Sequence, residues 1–210
     1  MIRKNRLDYI YLNESHFLFE GQQRLVYKHP LNADYLIKIS KLVMNKWGSV
    51  DYISYRNRYR FLKYFLIELR EHARLRLQYT PGQVPYIFQK IIGFTDTNLG
   101  MGLIVQTEKD KYGHYAPTCE SLLKNSLINE MILQHLEEFL QHLLESDICI
   151  YDLTPSNIVY SYTTEIGHHF VLIDGFGDKR FIPLSFYSKR IRRYQRNKAI
   201  NKFRNEIQLS

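Results

Sequence analysis

The sequence predicts an α+β chain with a small antiparallel sheet and one long helix in its first half and a mainly helical second half. Short apolar runs separated by turn residues precede a helical repeat from Ser54 to Leu77, and a second helical repeat extends from Ser126 to Glu145. The chain has 210 residues, enough to bury a sizeable core. Its 45% hydrophobic and 14% aromatic content excludes a disordered protein.

The first predicted strands flank a tight turn. His16 to Glu20 and Arg24 to Lys28 are joined by Gly21-Gln22-Gln23, and Tyr35 to Ile39 follows after a loop that contains His29-Pro30. These short runs predict a small antiparallel sheet.

One lysine, Lys38, interrupts the apolar strand YLIKI. A buried ammonium group is unfavourable unless it meets an anion. Two interpretations are open: Lys38 binds nucleotide phosphates beneath the turn at Gly21, or it lies on an edge strand and faces solvent. The turn contains a single glycine, so by itself it is a weak signal of phosphate binding.

The long helix from Ser54 to Leu77 carries apolar residues at helical spacing and ends at Thr80-Pro81-Gly82. If Lys38 binds phosphate, this helix is expected to supply a glutamate that pairs with the lysine. Glu68 and Glu71 are the candidates, although both occur late in the helix. Which of them pairs with Lys38, if either does, stays open.

Two further strands are predicted on either side of the turn Asp96-Thr97-Asn98, over Tyr86 to Phe94 and Leu99 to Thr107. Gln106 to Asp110 would then connect the two halves and offer a surface for an adenine ring. We therefore expect an N-lobe over residues 1–108 and a C-lobe over residues 109–210.

The most specific motif lies in the second half of the chain. Asp152 and Asn157 are spaced as D-L-x-x-x-N and precede the apolar run Ile158 to Tyr160. Asp174 follows a second run, Phe170 to Ile173, and opens a glycine turn. This pattern is typical of a kinase-type site, in which the first Asp orients the attacking hydroxyl while the Asn and the second Asp hold magnesium on nucleotide phosphates. It predicts a minimal two-lobed protein-kinase-like fold.

Each half of this motif also has a simpler interpretation. The sequence Asp-Leu-Thr-Pro-Ser-Asn could form an ordinary turn, and Asp174-Gly175 could form a hairpin turn. The two halves occur in the expected order with Lys38 upstream, which favours the kinase-type site. Asp152 would then be the base or orienting group, Asn157 and Asp174 the magnesium ligands, and Lys38 with Gly21 the contacts to the phosphates of ATP.

The net charge of +8 arises from one segment. Ten of the 29 Lys/Arg and none of the 21 Asp/Glu lie between Lys179 and Arg204, so the rest of the chain has 19 basic and 21 acidic residues. Interleaved apolar residues predict a helix packed on the body with its basic side outward. Either this is a solvated face, or it binds a polyanion such as anionic lipid, lipopolysaccharide, nucleic acid or an acidic protein.

Location can also be predicted from the sequence. No apolar run is long enough to span a bilayer, and the first residues carry charges in place of a signal peptide. Cys119 and Cys149 lack metal-ligand spacing and are expected to be reduced core thiols. We expect a cytoplasmic protein, and the basic segment leaves attachment to the inner membrane surface open.

Three stretches, EGQQRLVYKHPLNADYLIKI, YDLTPSNIVY and FIPLSFYSKRIRR, resemble the YrbL family of PhoP-regulated bacterial proteins, a branch of the protein-kinase-like superfamily. The most specific pieces are G-x-x-R-x-x-Y-x-H-P, with Gly21, Arg24 and Tyr27, and the pair Pro155 and Asn157. The resemblance covers nearly the whole chain. It implies a two-lobed kinase-like fold, a Gram-negative cytoplasmic setting and a poorly defined activity, and it supplies no substrate.

The chain departs from protein kinases in its catalytic loop. Ile150 and Tyr151 replace the usual His and Arg, and Thr154 replaces the catalytic-loop lysine. Only 32 of the 210 residues follow Asp178, so we expect no peptide-binding lobe.

Two functions are therefore open. The first is an ATP- and magnesium-dependent phosphotransferase whose acceptor is a small molecule, a lipopolysaccharide-type compound or a protein. The alternative is a nucleotide-binding pseudokinase or scaffold whose basic tail docks on an anionic partner or membrane surface.

Overall fold

The structure is a computed structural model that describes residues 9–21, 24–41, 55–80, 82–177 and 184–208. The chain divides into two compact units. The first unit contains Met1–Leu66 and Lys90–Thr107, and the second contains Ile67–Gln89 and Glu108–Ser210. The fold is α+β, as the sequence predicts.

A six-stranded sheet forms the centre of the first unit. The strand order is β1-β5-β6-β4-β3-β2, and every neighbouring pair is antiparallel except β1 with β5. The strands are β1 (Tyr9–Ile10), β2 (Phe17–Glu20), β3 (Arg24–Lys28), β4 (Tyr35–Ser40), β5 (Ile91–Thr97) and β6 (Gly100–Gln106). The predicted strand over Tyr86 to Phe94 begins later than expected, at Ile91, because residues 86–89 belong to the second unit, where Phe88 forms a bridge with Leu172.

Alternation along β4 assigns its side chains to two faces of the sheet. Ile37 and Ile39 lie on one face, where they form a buried cluster with Leu12 and Tyr27. Lys38 lies on the opposite face, between its cross-strand partners Val26 and Leu103. The apolar spacing of this strand thus builds a core on one side and carries the lysine on the other.

Helix α1 (Tyr55–Gln78) ends within one residue of the predicted helix, whose first residue, Ser54, lies outside the described residues. Its residues up to Leu66 belong to the first unit and those from Ile67 to the second. Within the first unit, Phe65 is buried and its ring packs at 6.3 Å from the ring of Phe94. Among the described residues, no helix has the length and hydropathy to cross a membrane.

The second unit combines an antiparallel hairpin with helices. Its elements are α2 (Cys119–Lys124), α3 (Glu130–Glu145), β7 (Ile158–Thr163), β8 (Gly167–Leu172), α4 (Leu184–Tyr187) and α5 (Lys189–Gln208). Helix α3 begins where the Asn129 side-chain oxygen accepts the amide of Ile132 at 2.9 Å. Its buried residues are Ile132, Leu136, Phe139, Leu140 and Leu143.

The core of this unit lies among α3, the β7–β8 hairpin and α5. Leu140 and Phe170 are buried at its centre, and α5 contributes Ile200 and Phe203. Cys119 and Cys149 are buried and are not joined in a disulfide, and burial raises the pKa of Cys119 to about 11.

Candidate functional site

The two loops at one end of the β7–β8 hairpin carry the predicted site residues of the second unit. Ile158, the first residue of β7, pairs with Leu172, the last residue of β8. The end of the loop before β7 therefore lies beside the start of the loop after β8. The amide of Ile173 donates to the carbonyl of Asn157 at 2.8 Å and extends this contact beyond the strands.

Gly175 joins the two loops through its backbone. Its carbonyl oxygen accepts the amides of both Tyr151 and Asp152 at 2.9 Å. Gly175 has φ +91°, and a Cβ at this position would overlap the carbonyl oxygen of Asp152 and lie 3.3 Å from Nδ2 of Asn157. Only glycine combines this conformation with this close approach.

Side-chain hydrogen bonds fix the remaining geometry. Asn157 Nδ2 donates to the carbonyl of Asp152 at 3.2 Å, so the amide oxygen of Asn157 lies on the other side of its side chain. Asp174 Oδ1 accepts the amide of Gly175 at 2.6 Å. Asp152 is exposed, whereas Asn157 and Asp174 are half-buried. The structure thus brings Asp152, Asn157 and Asp174 together at one end of the hairpin.

These contacts test the simpler interpretation of each half of the motif. Pro155–Asn157 does form a single 3₁₀ turn, so the first half of the motif is a turn. Asp174-Gly175 is not a hairpin turn, because Phe176 forms an antiparallel bridge with Ile150 in the preceding loop. The hairpin-turn alternative for the second half is therefore wrong.

The donor set suits a hard cation. Carboxylate and amide oxygens are the ligands that magnesium prefers, and magnesium usually takes one or two carboxylates together with substrate phosphates. Within the described ranges no group of three His, Cys, Asp or Glu side chains could hold a metal by itself. Asn157 and Asp174 provide one amide and one carboxylate group, which are donor types that magnesium accepts.

The buried carboxylate of Glu71, in α1, braces the same loops. It accepts the amide of Cys149 at 3.2 Å and the Arg74 guanidinium at 3.1 and 3.2 Å. The Cys149 carbonyl in turn accepts the amide of Gly177 at 2.7 Å, and a Cβ at Gly177 would overlap Ile67. The sequence suggested Glu71 only as a partner for Lys38, whereas the structure shows that it anchors the loop before Asp152.

Lys38 occupies a buried position in the first unit. Strand β4 lies between β3 and β6, and the Lys38 side chain is 6% exposed. The alternative of a solvent-facing lysine on an edge strand is therefore wrong. Gly21, at the end of β2, donates its amide to the carbonyl of Arg24 at 2.8 Å, while Gln22 and Gln23 of the predicted turn lie outside the described residues.

Arg24 is a second buried cation in the first unit that the sequence analysis did not identify as a site residue. Its position in the strand register places it on the same face of the sheet as Lys38, opposite Ser40. Arg24 is 7% exposed, and its guanidinium carbon lies 5.0 Å from the centre of the Phe65 ring. The alternation of side chains along β3 could have indicated this burial, because it places Arg24 on the same face of the sheet as the apolar Val26.

The basic tail is only partly outward-facing. Arg192 binds both carboxylate oxygens of Asp147, at 3.0 and 2.7 Å, and Arg196 donates to the carbonyl of Ile148 at 3.2 Å. Both arginines are buried, so the expectation of an outward basic side is wrong for them. Lys179 and Arg180 lie outside the described residues. The exposed cations of α5 are Lys189, Arg190, Arg193, Lys198 and Lys202.

The chain was compared with known proteins of three kinds. No curated protein matches it. Among solved structures, it is similar to WbdD in co-crystals with the kinase inhibitor LY294002, with 18% identity, a TM-score of 0.43 and coverage of 75% of this chain and 32% of that one. It is also similar to Rad53 residues 1–466 in complex with AMP-PNP, with 14% identity, a TM-score of 0.43 and coverage of 77% and 38%. The chain spans about a third of the length of these structures.

The family comparison covers almost the entire chain. The family described as PhoP regulatory network protein YrbL matches residues 10–208, which include the two loops at the end of the hairpin and the basic helix α5. The chain belongs to the YrbL family of PhoP regulatory network proteins.

Proposed function

We propose that the protein is an ATP- and magnesium-dependent phosphotransferase of minimal kinase-like fold, with a phosphoryl acceptor that is still to be identified. The observation that carries the proposal is the backbone contact at Gly175, whose carbonyl accepts the amides of Tyr151 and Asp152. This contact holds the Asp152 and Asp174 loops together, and the two loops follow one another along the chain in the order typical of a kinase-type site.

Each residue has a distinct role in this proposal. Asp152 is exposed and orients the acceptor hydroxyl or accepts its proton. Asn157 and Asp174 hold magnesium, which would neutralise charge on the nucleotide phosphates. Lys38 supplies a buried positive charge for those phosphates, and Gly21 supplies the turn that precedes β3. Catalysis would then consist mainly of positioning and charge stabilisation.

The setting of the protein is part of the same proposal. The matched family is described as a PhoP regulatory network protein. We therefore assign this chain to a bacterial regulatory network of that kind and to the cytoplasm. Its acceptor is a small molecule, a lipopolysaccharide-type compound or a protein. Transfer of labelled γ-phosphate in a host extract would identify which class is used.

A nucleotide-binding pseudokinase is the second candidate, and the loop before Asp152 favours it. Ile150 occupies the position where protein kinases have histidine, is buried and forms a bridge with Phe176. Thr154 replaces the usual catalytic-loop lysine. A chain without these two groups can keep the nucleotide site and lose turnover.

ATP hydrolysis distinguishes the two candidates. We expect magnesium-dependent phosphate release by the wild type, and a decrease of about 100-fold or more in Asp152→Asn, because general acid–base groups contribute at least that much. Glu165→Gln is the matched control: Glu165 is an exposed carboxylate in the turn at the opposite end of the hairpin. Its hydrolysis rate should equal that of the wild type.

Equal rates of phosphate release would contradict the enzymatic proposal. If the wild type binds ATP but releases phosphate no faster than Asp152→Asn, the chain is a pseudokinase and the enzymatic proposal is wrong. Binding is measured separately by titration calorimetry, so loss of nucleotide binding is not mistaken for loss of turnover.

A further inference from the structure

The basic residues of α5 fall into two groups with different environments. Arg192 and Arg196 are buried and bind groups of the second unit, and Arg204 forms an ion pair with Glu137 at 2.5 Å. Lys189, Arg190, Arg193, Lys198 and Lys202 are exposed and form no ion pair within the part of the chain that the structure describes. The first group explains how the helix is attached, and the second group needs a different explanation.

The exposed residues form two rows along the helix. Residues four positions apart lie next to one another on a helix surface. One row contains Arg190, Tyr194, Lys198 and Lys202, and the adjacent row contains Arg193, Asn197, Asn201 and Asn205. Tyr187, at the end of α4, is 79% exposed, and Tyr194 is 69% exposed. The outward face of α5 is therefore cationic and rich in hydrogen-bond donors, and it carries one aromatic ring, that of Tyr194.

A merely solvated face would balance its charges better. Elsewhere in this unit, Lys124 of α2 pairs with Glu120 one turn away at 2.8 Å. Helix α5 has no acidic residue before Glu206, and its cations Lys198 and Lys202 repel each other at a spacing of four. This arrangement is unfavourable for an isolated helix and becomes favourable when an anionic layer covers it.

The shape of the face favours a flat partner. Ile200 and Phe203 bury the opposite side of α5 in the core, so only one side of the helix is available for contact. The cations from Arg190 to Lys202 extend over about 18 Å at the helical rise. A plane of lipid phosphates offers anions along this whole length, and the exposed rings of Tyr187 and Tyr194 beside the cations suit the headgroup region of a membrane.

We propose that the outward face of α5 docks the protein on the surface of an anionic phospholipid membrane. The cations lie against the headgroup phosphates, and Tyr187 and Tyr194 lie at headgroup level, where tyrosine is favoured. The asparagines donate hydrogen bonds to phosphate oxygens. This docking needs neither nucleotide nor Asp152, so it stands or falls independently of phosphotransfer.

Liposome sedimentation of the full-length protein tests the proposal. The wild type should bind vesicles of phosphatidylcholine with 30% phosphatidylglycerol, in a composition chosen to be about as anionic as natural membranes. It should not bind vesicles of phosphatidylcholine alone, and 0.5 M salt should release it, since a Debye length of about 4 Å screens the contact.

Two variants with equal loss of charge make the test specific. The face variant replaces Arg190, Arg193, Lys198 and Lys202 by Gln, and its affinity for the anionic vesicles should fall by about 100-fold or more. The control variant replaces four exposed cations on other elements by Gln: Lys28, Arg76, Lys90 and Lys111. The control should bind within about two-fold of the wild type, because it keeps every cation of α5.

A fluorescent side chain reports where the face lies. Tyr194→Trp in a Trp47→Phe background should show a blue-shifted emission with the anionic vesicles and none with a DNA duplex. Equal losses of vesicle binding in the face and control variants would overturn the proposal, as would binding of the wild type to RNA or DNA but not to vesicles. If the four-residue variant unfolds, the milder Lys198→Gln/Lys202→Gln variant replaces it in the same comparison.

Discussion

Two glycines in this protein lie in turns that were both predicted to contact a nucleotide or its metal, and they differ in how much the structure depends on them. Gly175 has φ +91° and its carbonyl oxygen accepts two amides of the neighbouring loop. At Gly21 φ lies outside the left-handed region, and a Cβ there would meet the Arg24 carbonyl at an ordinary 3.5 Å. Backbone contacts at Gly175 therefore hold the Asp152 and Asp174 loops together, whereas a Cβ at Gly21 would meet the described residues only at an ordinary contact distance.

Replacement of Gly175 should have the largest effect. Gly175→Ala forces a Cβ into the carbonyl of Asp152 and strains a left-handed backbone, which together destabilise by about 2–5 kcal/mol. Chemical denaturation measures the stability, and magnesium-dependent ATP hydrolysis should be lost as the two loops separate.

Gly167→Ala is the control for this replacement. Gly167 is the first residue of β8 and has φ +75°, but a Cβ there would meet nothing within 4 Å. Its replacement should destabilise by only about 1–2 kcal/mol, the strain of the backbone alone. If the two variants had equal free energies of unfolding, the overlap with the carbonyl of Asp152 would contribute nothing to the destabilisation.

Replacement of Lys38 should have the next largest effect, and on binding more than on stability. If Lys38 interacts with phosphates as a point charge, Lys38→Met should reduce the affinity for ATP by about ten-fold or more. The affinity for adenosine, which has no phosphate, should fall by less than about two-fold. Titration calorimetry with both ligands measures this. Equal losses for the two ligands would indicate that Lys38 is structural and that the first unit binds phosphate by other groups.

Replacement of Gly21 should have the smallest effect. Gly21→Ala requires neither an unusual backbone nor displacement of a neighbour, so its stability should remain within about 0.5 kcal/mol of the wild type. Its ATP affinity should change by less than about three-fold. A loss as large as that of Lys38→Met would show that close approach of a ligand to the Gly21 backbone matters, which would reverse the comparison.

The contrast also explains what the sequence could predict. The sequence places Asp152 and Asn157 before one short apolar run and Asp174 after another, and these two runs are the paired strands of the hairpin. Local patterns of this kind depend on residues within a few positions. The same holds for α3 and for most strands of the first unit.

Contacts between distant parts of the sequence could not be predicted in this way. The Glu71 carboxylate binds the amide of Cys149, which is 78 residues away, and Arg192 binds Asp147, which is 45 residues away. Charge patterns do not show which cation will meet a buried carboxylate, so Arg192 and Arg196 were wrongly expected to face outward. The pairing of β1 with β5 was missed because a strand of two residues has no periodicity.

The central claim is that Asp174 and Asn157 hold a magnesium ion shared with ATP. The most direct measurement is the affinity for ATP of the wild type and of Asp174→Ala, with magnesium and with EDTA, by titration calorimetry. Magnesium should strengthen ATP binding of the wild type by about ten-fold or more and should have no effect on Asp174→Ala, whose thermal stability remains close to that of the wild type. An equal magnesium-dependent gain in both proteins would contradict the claim.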